Sequence, residues 1–147
     1  MSYLVRKADN FLLEWKSNSD RYPLIIKGAR QVGKTETIRK FAQANYKNVI
    51  EINFITEPVY KSIIEEGFST DSITKLISRI DPSKHFSAGD TLIFFDEIQD
   101  FPEIATSLKF FKEDGRFDVI CSGSLLGVQY HRIASISVGS VSYTHLT

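Results

Sequence analysis

The sequence predicts an α/β domain built on a mostly parallel sheet, and two observations lead to that prediction. First, four short apolar runs of strand character alternate with segments of helical periodicity along the chain. Second, the run at 91–95 is almost continuously apolar, which is typical of a strand buried on both faces of a sheet. Ligands of such sheets bind beyond the carboxyl ends of the strands. Polar residues that follow the strands are therefore the candidates for a functional site.

The first half of the chain predicts two helices and two strands. An amphipathic helix is expected over 6–17, because its apolar residues recur with the spacing i, i+3, i+4, i+7. The run 23–27 is predicted as a buried strand with proline at its first position. A helix is expected to begin at about Thr35, and the β-branched, alternating run 48–54 predicts the next strand.

The second half continues the alternation. Two helical segments are expected next, one capped by Thr56 and closed by Gly67, the other ending at 81–82. The apolar run 91–95 is the third strand. A helix opened by Pro102 then leads to a fourth strand at 117–121.

The composition is that of a single globular domain. The chain has 147 residues, of which 42% are hydrophobic, so it can bury a core. Basic and acidic residues balance at 18 each, and this gives no support for nucleic-acid or membrane binding through net charge. Cys121 is the only cysteine, which excludes an intrachain disulfide and fits a reducing compartment. No apolar run reaches the roughly 20 residues of a membrane span, and we expect a cytoplasmic protein.

A phosphate-binding loop is predicted at residues 28–35. This segment fits G-x-x-x-x-G-K-[ST] at each required position, with Gly28, Ala29, Arg30, Gln31, Val32, Gly33, Lys34 and Thr35. It follows a strand and opens a helix, so main-chain N–H groups and the helix dipole can face one anion. Lys34 would then reach the β- and γ-phosphates, and the Thr35 hydroxyl would ligate Mg²⁺. The alternative is an ordinary strand-to-helix turn with an exposed lysine.

Two carboxylates follow the third strand. Asp96 is expected to partner Mg²⁺, and Glu97 to polarise a water for attack on the γ-phosphate. Adjacent residues of a strand point to opposite faces, so both reach one site only if the strand ends there. The alternative is a solvated acidic loop. Gln99 and Asp100, which follow the pair, are interpreted as loop or cap residues.

Hydroxyl groups follow the fourth strand. Ser122 or Ser124 could hydrogen-bond the γ-phosphate or the attacking water, and the sequence does not choose between them. The alternative is a simple Ser/Gly turn. The three histidines show no metal-ligand spacing, so no metal site made of protein ligands alone is assigned.

Three segments in order, G-A-R-Q-V-G-K-T, I-F-F-D-E-I-Q and V-I-C-S-G-S-L-L, resemble a group of bacterial and archaeal ATPases of the AAA+ superfamily. The resemblance covers about 6–140, and the I-Q after the acidic pair is one of its more group-specific features. It implies a P-loop NTPase three-layer sandwich that binds ATP and Mg²⁺. It also implies a sensor-type polar residue at Ser122 or Ser124, and homo-oligomers in which a neighbour's arginine completes the site.

The same resemblance implies parts beyond this chain. Such proteins carry a fifth strand, a helical lid and a C-terminal domain of unknown function. We expect the fifth strand to begin within 136–141, and the lid and C-terminal domain to be missing through truncation. The P-loop domain is then 1–140, incomplete. The residues 141–146 match the translation of a sequencing adaptor in one reading frame, so we expect an artefactual or disordered tail at 141–147.

The function expected from the sequence is Mg²⁺-dependent ATP binding and hydrolysis, as a switch or motor for a missing effector domain. Nucleic acid would be a partner only through the missing regions. One alternative is a nucleotide-binding module without turnover. A GTPase lacks support because no N-K-x-D motif occurs, and the chain is too short for the two motor lobes of a helicase.

Overall fold

A computed structural model describes residues 3–28, 32–124, 132–133 and 142–145. Five strands form one sheet of order β2-β3-β4-β1-β5, and each neighbouring pair is parallel. The predicted α/β class with a parallel sheet is confirmed. The strands are β1 (Leu24–Lys27), β2 (Asn48–Asn53), β3 (Thr91–Asp96), β4 (Asp118–Gly123) and β5 (Ser142–His145). The helices are α1 (Tyr3–Ser17), α2 (Val32–Asn45), α3 (Thr70–Ile80) and α4 (Leu108–Asp114), with 3₁₀ helices at Pro58–Ile64, Ile98–Asp100 and Pro102–Ser107.

The sheet is covered by a hydrophobic layer on each face, because its central strands are apolar on both sides. Leu92 and Phe94 of β3 pack in one cluster with side chains of α1 and α2. Ile93 and Phe95 pack in a larger cluster with side chains of α3, α4 and the 3₁₀ helices. Every residue of β3 is buried, which explains its continuous apolar sequence. Helices on both faces of the sheet make the domain a three-layer sandwich.

Several predicted boundaries differ from the structure. Helix α2 begins at Val32 instead of Thr35, because the last residues of the predicted phosphate loop already form its first turn. The segment after β2 is a 3₁₀ helix, and its N-cap is Glu57, with no side-chain capping hydrogen bond, instead of Thr56. Short 3₁₀ pieces cannot be told from α-helix by apolar spacing alone.

Strand β5 lies beside β1, with Leu24 opposite Ser142 and Lys27 opposite His145. The predicted start of a fifth strand within 136–141 falls outside the described residues. Strand β5 lies inside the segment 141–147 that the sequence analysis assigned to a tail, and that assignment stays a prediction. Among the described residues, no helix is both long and apolar enough to cross a membrane.

Candidate functional site

The carboxyl ends of β1, β4 and β3 meet at one edge of the sheet, and β4 lies between the other two. The strand that leads into the phosphate loop and the acidic strand are therefore not neighbours. The first turn of α2 spans the gap. Lys34 Nζ donates a hydrogen bond to the carbonyl oxygen of Gly123 over 3.4 Å. Thr35 Oγ1 donates to Asp96 Oδ2 over 3.3 Å.

The residues predicted for the phosphate loop are described in part. Gly28 directly follows β1, and Val32, Gly33, Lys34 and Thr35 lie in the first turn of α2. The side chain of Lys34 is buried beneath this turn, with 7% of the residue exposed. The remaining predicted residues, Ala29, Arg30 and Gln31, lie outside the described residues.

The two carboxylates stand at the point where β3 ends. Asp96 is the last residue of the strand, and its Oδ1 accepts the main-chain N–H of Glu97 over 2.9 Å. Glu97 has a left-handed backbone, with φ 59° and ψ 47°. A non-glycine residue in that region carries strain of about 1–2 kcal/mol, and such residues concentrate at functional sites. Both residues are buried, and both act electrostatically on Lys34. The condition that the strand must end at this pair is met.

Burial disturbs the ionisation of this cluster. Burial lowers the pKa of Lys34, and the negative charges of Asp96 and Glu97 oppose that shift. Burial likewise raises the pKa of Asp96, and the charge of Glu97 adds to the rise. Hydrogen bonds from Glu97 N–H and Thr35, together with the charge of Lys34, act in the opposite direction. The protein alone therefore compensates these buried charges incompletely, and a cation near Asp96 and an anion near Lys34 would both be stabilised.

Replacing Asp96 with asparagine is expected to make the protein without nucleotide more stable at pH 7 than the wild type. A raised pKa means that folding disfavours the ionised carboxylate. Wild-type stability should therefore fall as the pH rises from about 4, the ordinary value for an aspartate, through the raised pKa of Asp96. Asparagine is neutral throughout and keeps the same shape. Urea unfolding at pH 5 and pH 7 measures the effect, which should be larger at pH 7. The exposed Asp20→Asn is the control, and an equal effect at both pH values would contradict the prediction.

Two hydroxyl groups lie at the end of β4. Ser122 is fully buried and stands opposite Ile26 of β1. The Oγ atoms of Ser122 and Ser124 are both inaccessible, and neither has a hydrogen-bond partner among the described residues. An unsatisfied buried hydroxyl costs about 1–3 kcal/mol. Acceptor or donor atoms of a bound phosphate or water would satisfy both groups.

Gln99 belongs to this site, although the sequence analysis interpreted it as a loop or cap residue. Its Nε2 donates to Glu97 Oε2 over 2.6 Å, and its Oε1 accepts the main-chain N–H of Ser124 over 3.1 Å. The neighbouring Asp100 instead forms an ion pair with the partly exposed Lys61 over 2.8 Å. The sequence feature that could have indicated a role for Gln99 in the site is its place in the group-specific I-Q that follows the acidic pair.

Comparison with known proteins identifies the family. The family model described as AAA domain matches residues 20–147. The chain belongs to the AAA domain family. This membership supports a nucleotide-binding, ATPase-like function for the domain. No curated protein matches the sequence.

Solved structures resemble this AAA domain in fold. A chain of Drosophila ORC bound to DNA matches with a TM-score of 0.58 and 10% identity, over 98% of this chain and 91% of that chain. A chain of Drosophila ORC bound to AT-rich DNA and Cdc6 matches with a TM-score of 0.57 and 10% identity, over 98% of this chain. The AAA domain spans 55% of the length of that second chain. At this identity the likeness shows the fold alone.

The residues of the AAA domain fit a magnesium–nucleotide ligand. Thr35 and Asp96 offer one hydroxyl and one carboxylate oxygen side by side, which are the oxygen ligands that Mg²⁺ prefers. Among the described residues, no three His, Cys, Asp or Glu side chains cluster so as to hold a metal by themselves. Mg²⁺ in this place would need phosphate and water oxygens to complete its shell, as is usual for this ion.

Proposed function

We propose that this AAA domain binds ATP with Mg²⁺ and hydrolyses it, as a switch or motor for an effector domain. One observation carries the proposal. The first turn of α2 brings Lys34 to the end of β4 at Gly123 and Thr35 to Asp96 at the end of β3, and Asp96 and Glu97 both act electrostatically on Lys34. A buried amine, a hydroxyl and two carboxylates gathered beside a helix N-terminus are the parts that phosphoryl transfer to water requires.

Each residue has a definite task in this reaction. The ammonium of Lys34 and the N–H groups of the first turn of α2 would bind the phosphate oxygens. Thr35 and Asp96 would hold Mg²⁺, which when bound neutralises charge on the β- and γ-phosphate oxygens. Glu97 would orient the attacking water and accept its proton. The hydroxyls of Ser122 and Ser124, buried and unsatisfied among the described residues, would donate to the γ-phosphate or to that water.

Gly33 supports a ligand that approaches the backbone closely. A Cβ atom built on Gly33 would meet no heavy atom of the described residues within 4 Å. Glycine inside a helix is about 1 kcal/mol less favourable than alanine, and nothing in the described protein requires it at this position. A phosphate group lying against the first turn of α2 would explain the glycine, because it would leave no room for a Cβ atom at this position.

Replacing Gly33 with alanine is expected to weaken Mg²⁺-ATP binding about tenfold or more, an overpacking cost of roughly 1–3 kcal/mol. The folded protein without nucleotide should be unchanged or slightly more stable. Gly115→Ala is the reciprocal control, because Gly115 ends α4 with φ 77°. That variant should lose about 1 kcal/mol of stability and keep its affinity. Calorimetric titration and thermal unfolding measure both quantities, and unchanged affinity in Gly33→Ala would contradict the placement of the phosphates.

Calorimetric titration of the chain with Mg²⁺-ATP and Mg²⁺-GTP, followed by a phosphate-release assay, tests the proposed function. Saturable ATP binding that is weaker without Mg²⁺, together with phosphate release, would support it. Binding without release would identify a nucleotide-binding module instead. No binding by the folded chain would refute the proposal.

We further infer that the protein is cytoplasmic and works as a homo-oligomer through AAA+-type contacts. An arginine from a neighbouring copy would complete the charge on the site. Sedimentation with and without Mg²⁺-ATP tests self-association.

A further inference from the structure

The side chain of Gln99 connects two strand ends of the proposed ATP site. Its amide nitrogen donates to Glu97 Oε2 over 2.6 Å, and its amide oxygen accepts from the main-chain N–H of Ser124 over 3.1 Å. Only the oxygen of an amide can accept from a main-chain N–H. The nitrogen must then face the carboxylate, so the two contacts agree on a single orientation of the side chain.

The backbone around Gln99 holds this side chain against β4. Ile98 is fully buried in the larger hydrophobic cluster and anchors the 3₁₀ helix that follows the left-handed Glu97. A Cβ atom built on Gly123 would lie 2.5 Å from Gln99 Oε1 and 3.2 Å from the main-chain nitrogen of Ile98. The turn and β4 therefore approach as closely as glycine permits. This close approach brings the N–H of Ser124 within reach of the amide.

We propose that Gln99 is the positioning residue that holds the Glu97 carboxylate and ties it to the main chain of β4 at Ser124. The inference rests on the proposed function, in which Glu97 orients the attacking water. A misplacement of about 1 Å can cost roughly 100-fold in rate, so a fixed carboxylate matters for turnover. Because the hydroxyls of Ser122 and Ser124 are assigned to the phosphate or the attacking water, a shift of this end of β4 on phosphate contact would be passed to Glu97 through the amide of Gln99. The hydrogen bonds of Gln99 go to Glu97 and Ser124 and not to Lys34 or Thr35.

The replacement Gln99→Leu tests this role, because leucine is of similar size and cannot form either hydrogen bond. We expect kcat to fall about 10- to 100-fold. The Kd for Mg²⁺-ATP should stay within about threefold of the wild-type value. The control is Gln43→Leu, which changes an exposed glutamine on α2 and should leave kcat and Kd unchanged. Wild-type kcat in Gln99→Leu, or a loss of affinity as large as the loss of rate, would overturn the proposal.

A double-mutant cycle shows whether Gln99 acts through Glu97. In the background of Glu97→Leu, the further change Gln99→Leu should leave the residual single-turnover rate unchanged, since no group that can accept the hydrogen bond of Gln99 remains at position 97. A second loss of the same size as in the wild-type background would show that Gln99 acts independently, and would refute the positioning role.

Nuclear magnetic resonance of the Gln99 side-chain amide separates this inference from the proposed function. In the chain without nucleotide, the hydrogen bond to Glu97 should move one amide proton downfield, and Glu97→Leu should remove that shift. This measurement needs neither binding nor turnover. Failure of the wild type to bind Mg²⁺-ATP would refute the proposed function, whereas an amide proton that does not respond to Glu97→Leu would refute the positioning role.

Discussion

Replacing Lys34 with alanine is expected to weaken Mg²⁺-ATP binding by about 100-fold or more, because a buried cation bound to phosphate is typically worth about 3–5 kcal/mol when its partner remains. The amine is enclosed beneath the first turn of α2 and has Asp96 and Glu97 as its charged neighbours. Without it, the phosphates would face two carboxylates with Mg²⁺ as the remaining positive charge. Calorimetric titration with Mg²⁺-ATP measures the loss.

The control is Lys40→Ala, which removes an exposed lysine from the same helix and should not change the affinity. Lys34→Met serves as a second variant, since it fills the same space and keeps the packing of the first turn. Thermal unfolding verifies that each variant is folded. Affinity equal to the wild type in both Lys34 variants would remove the phosphate-binding assignment from residues 28–35.

Replacing Glu97 with glutamine is expected to reduce kcat for ATP hydrolysis by about 10²- to 10⁴-fold, the usual contribution of a general base. The amide keeps the shape of the carboxylate, and its oxygen can still accept the hydrogen bond from Gln99. It cannot take a proton from water. The affinity for Mg²⁺-ATP should change less than about threefold, because Glu97 acts on the water and not on the bound phosphates.

Single-turnover hydrolysis with excess enzyme measures this effect, with binding followed separately by calorimetry. Glu14→Gln on α1 is the matched control, as it makes the same chemical change at an exposed position. Turnover at the wild-type rate in Glu97→Gln would move the water-activating role to another group of the site.

The sequence predicted the fold class because the strands are short, apolar and separated by amphipathic segments. It also predicted which strand ends carry polar side chains. The order of strands in the sheet is a different matter, since neighbours along the chain need not be neighbours in space. The insertion of β4 between β1 and β3 could not be derived from spacing, yet it sets the path by which Thr35 reaches Asp96.

Gln99 shows the limit of local interpretation. A polar residue such as glutamine that follows an acidic pair is typical of a solvated loop. The local pattern of polar and apolar residues does not show that Gln99 and Asp100 have different contacts. The partner of Gln99, Ser124, is 25 positions away and directly follows β4. The side chain of Gln99 comes within reach of the Ser124 N–H because the backbone of Glu97 is left-handed and because Gly123 has no side chain in the way. Neither feature is encoded in a pattern that periodicity can detect.

Two glycines of the site are required for opposite reasons, and this difference would leave a trace during evolutionary drift. Gly123 is constrained from within, by the nitrogen of Ile98 and the amide of Gln99. Gly33 has open space around it within the described residues, and under the proposed function its constraint would come from a bound phosphate. In a descendant that had lost nucleotide binding but still folded, selection on Gly33 would relax first and Gly123 would persist. A sequence that keeps both glycines is therefore expected to bind nucleotide, and one that keeps Gly123 alone is expected to keep only the fold.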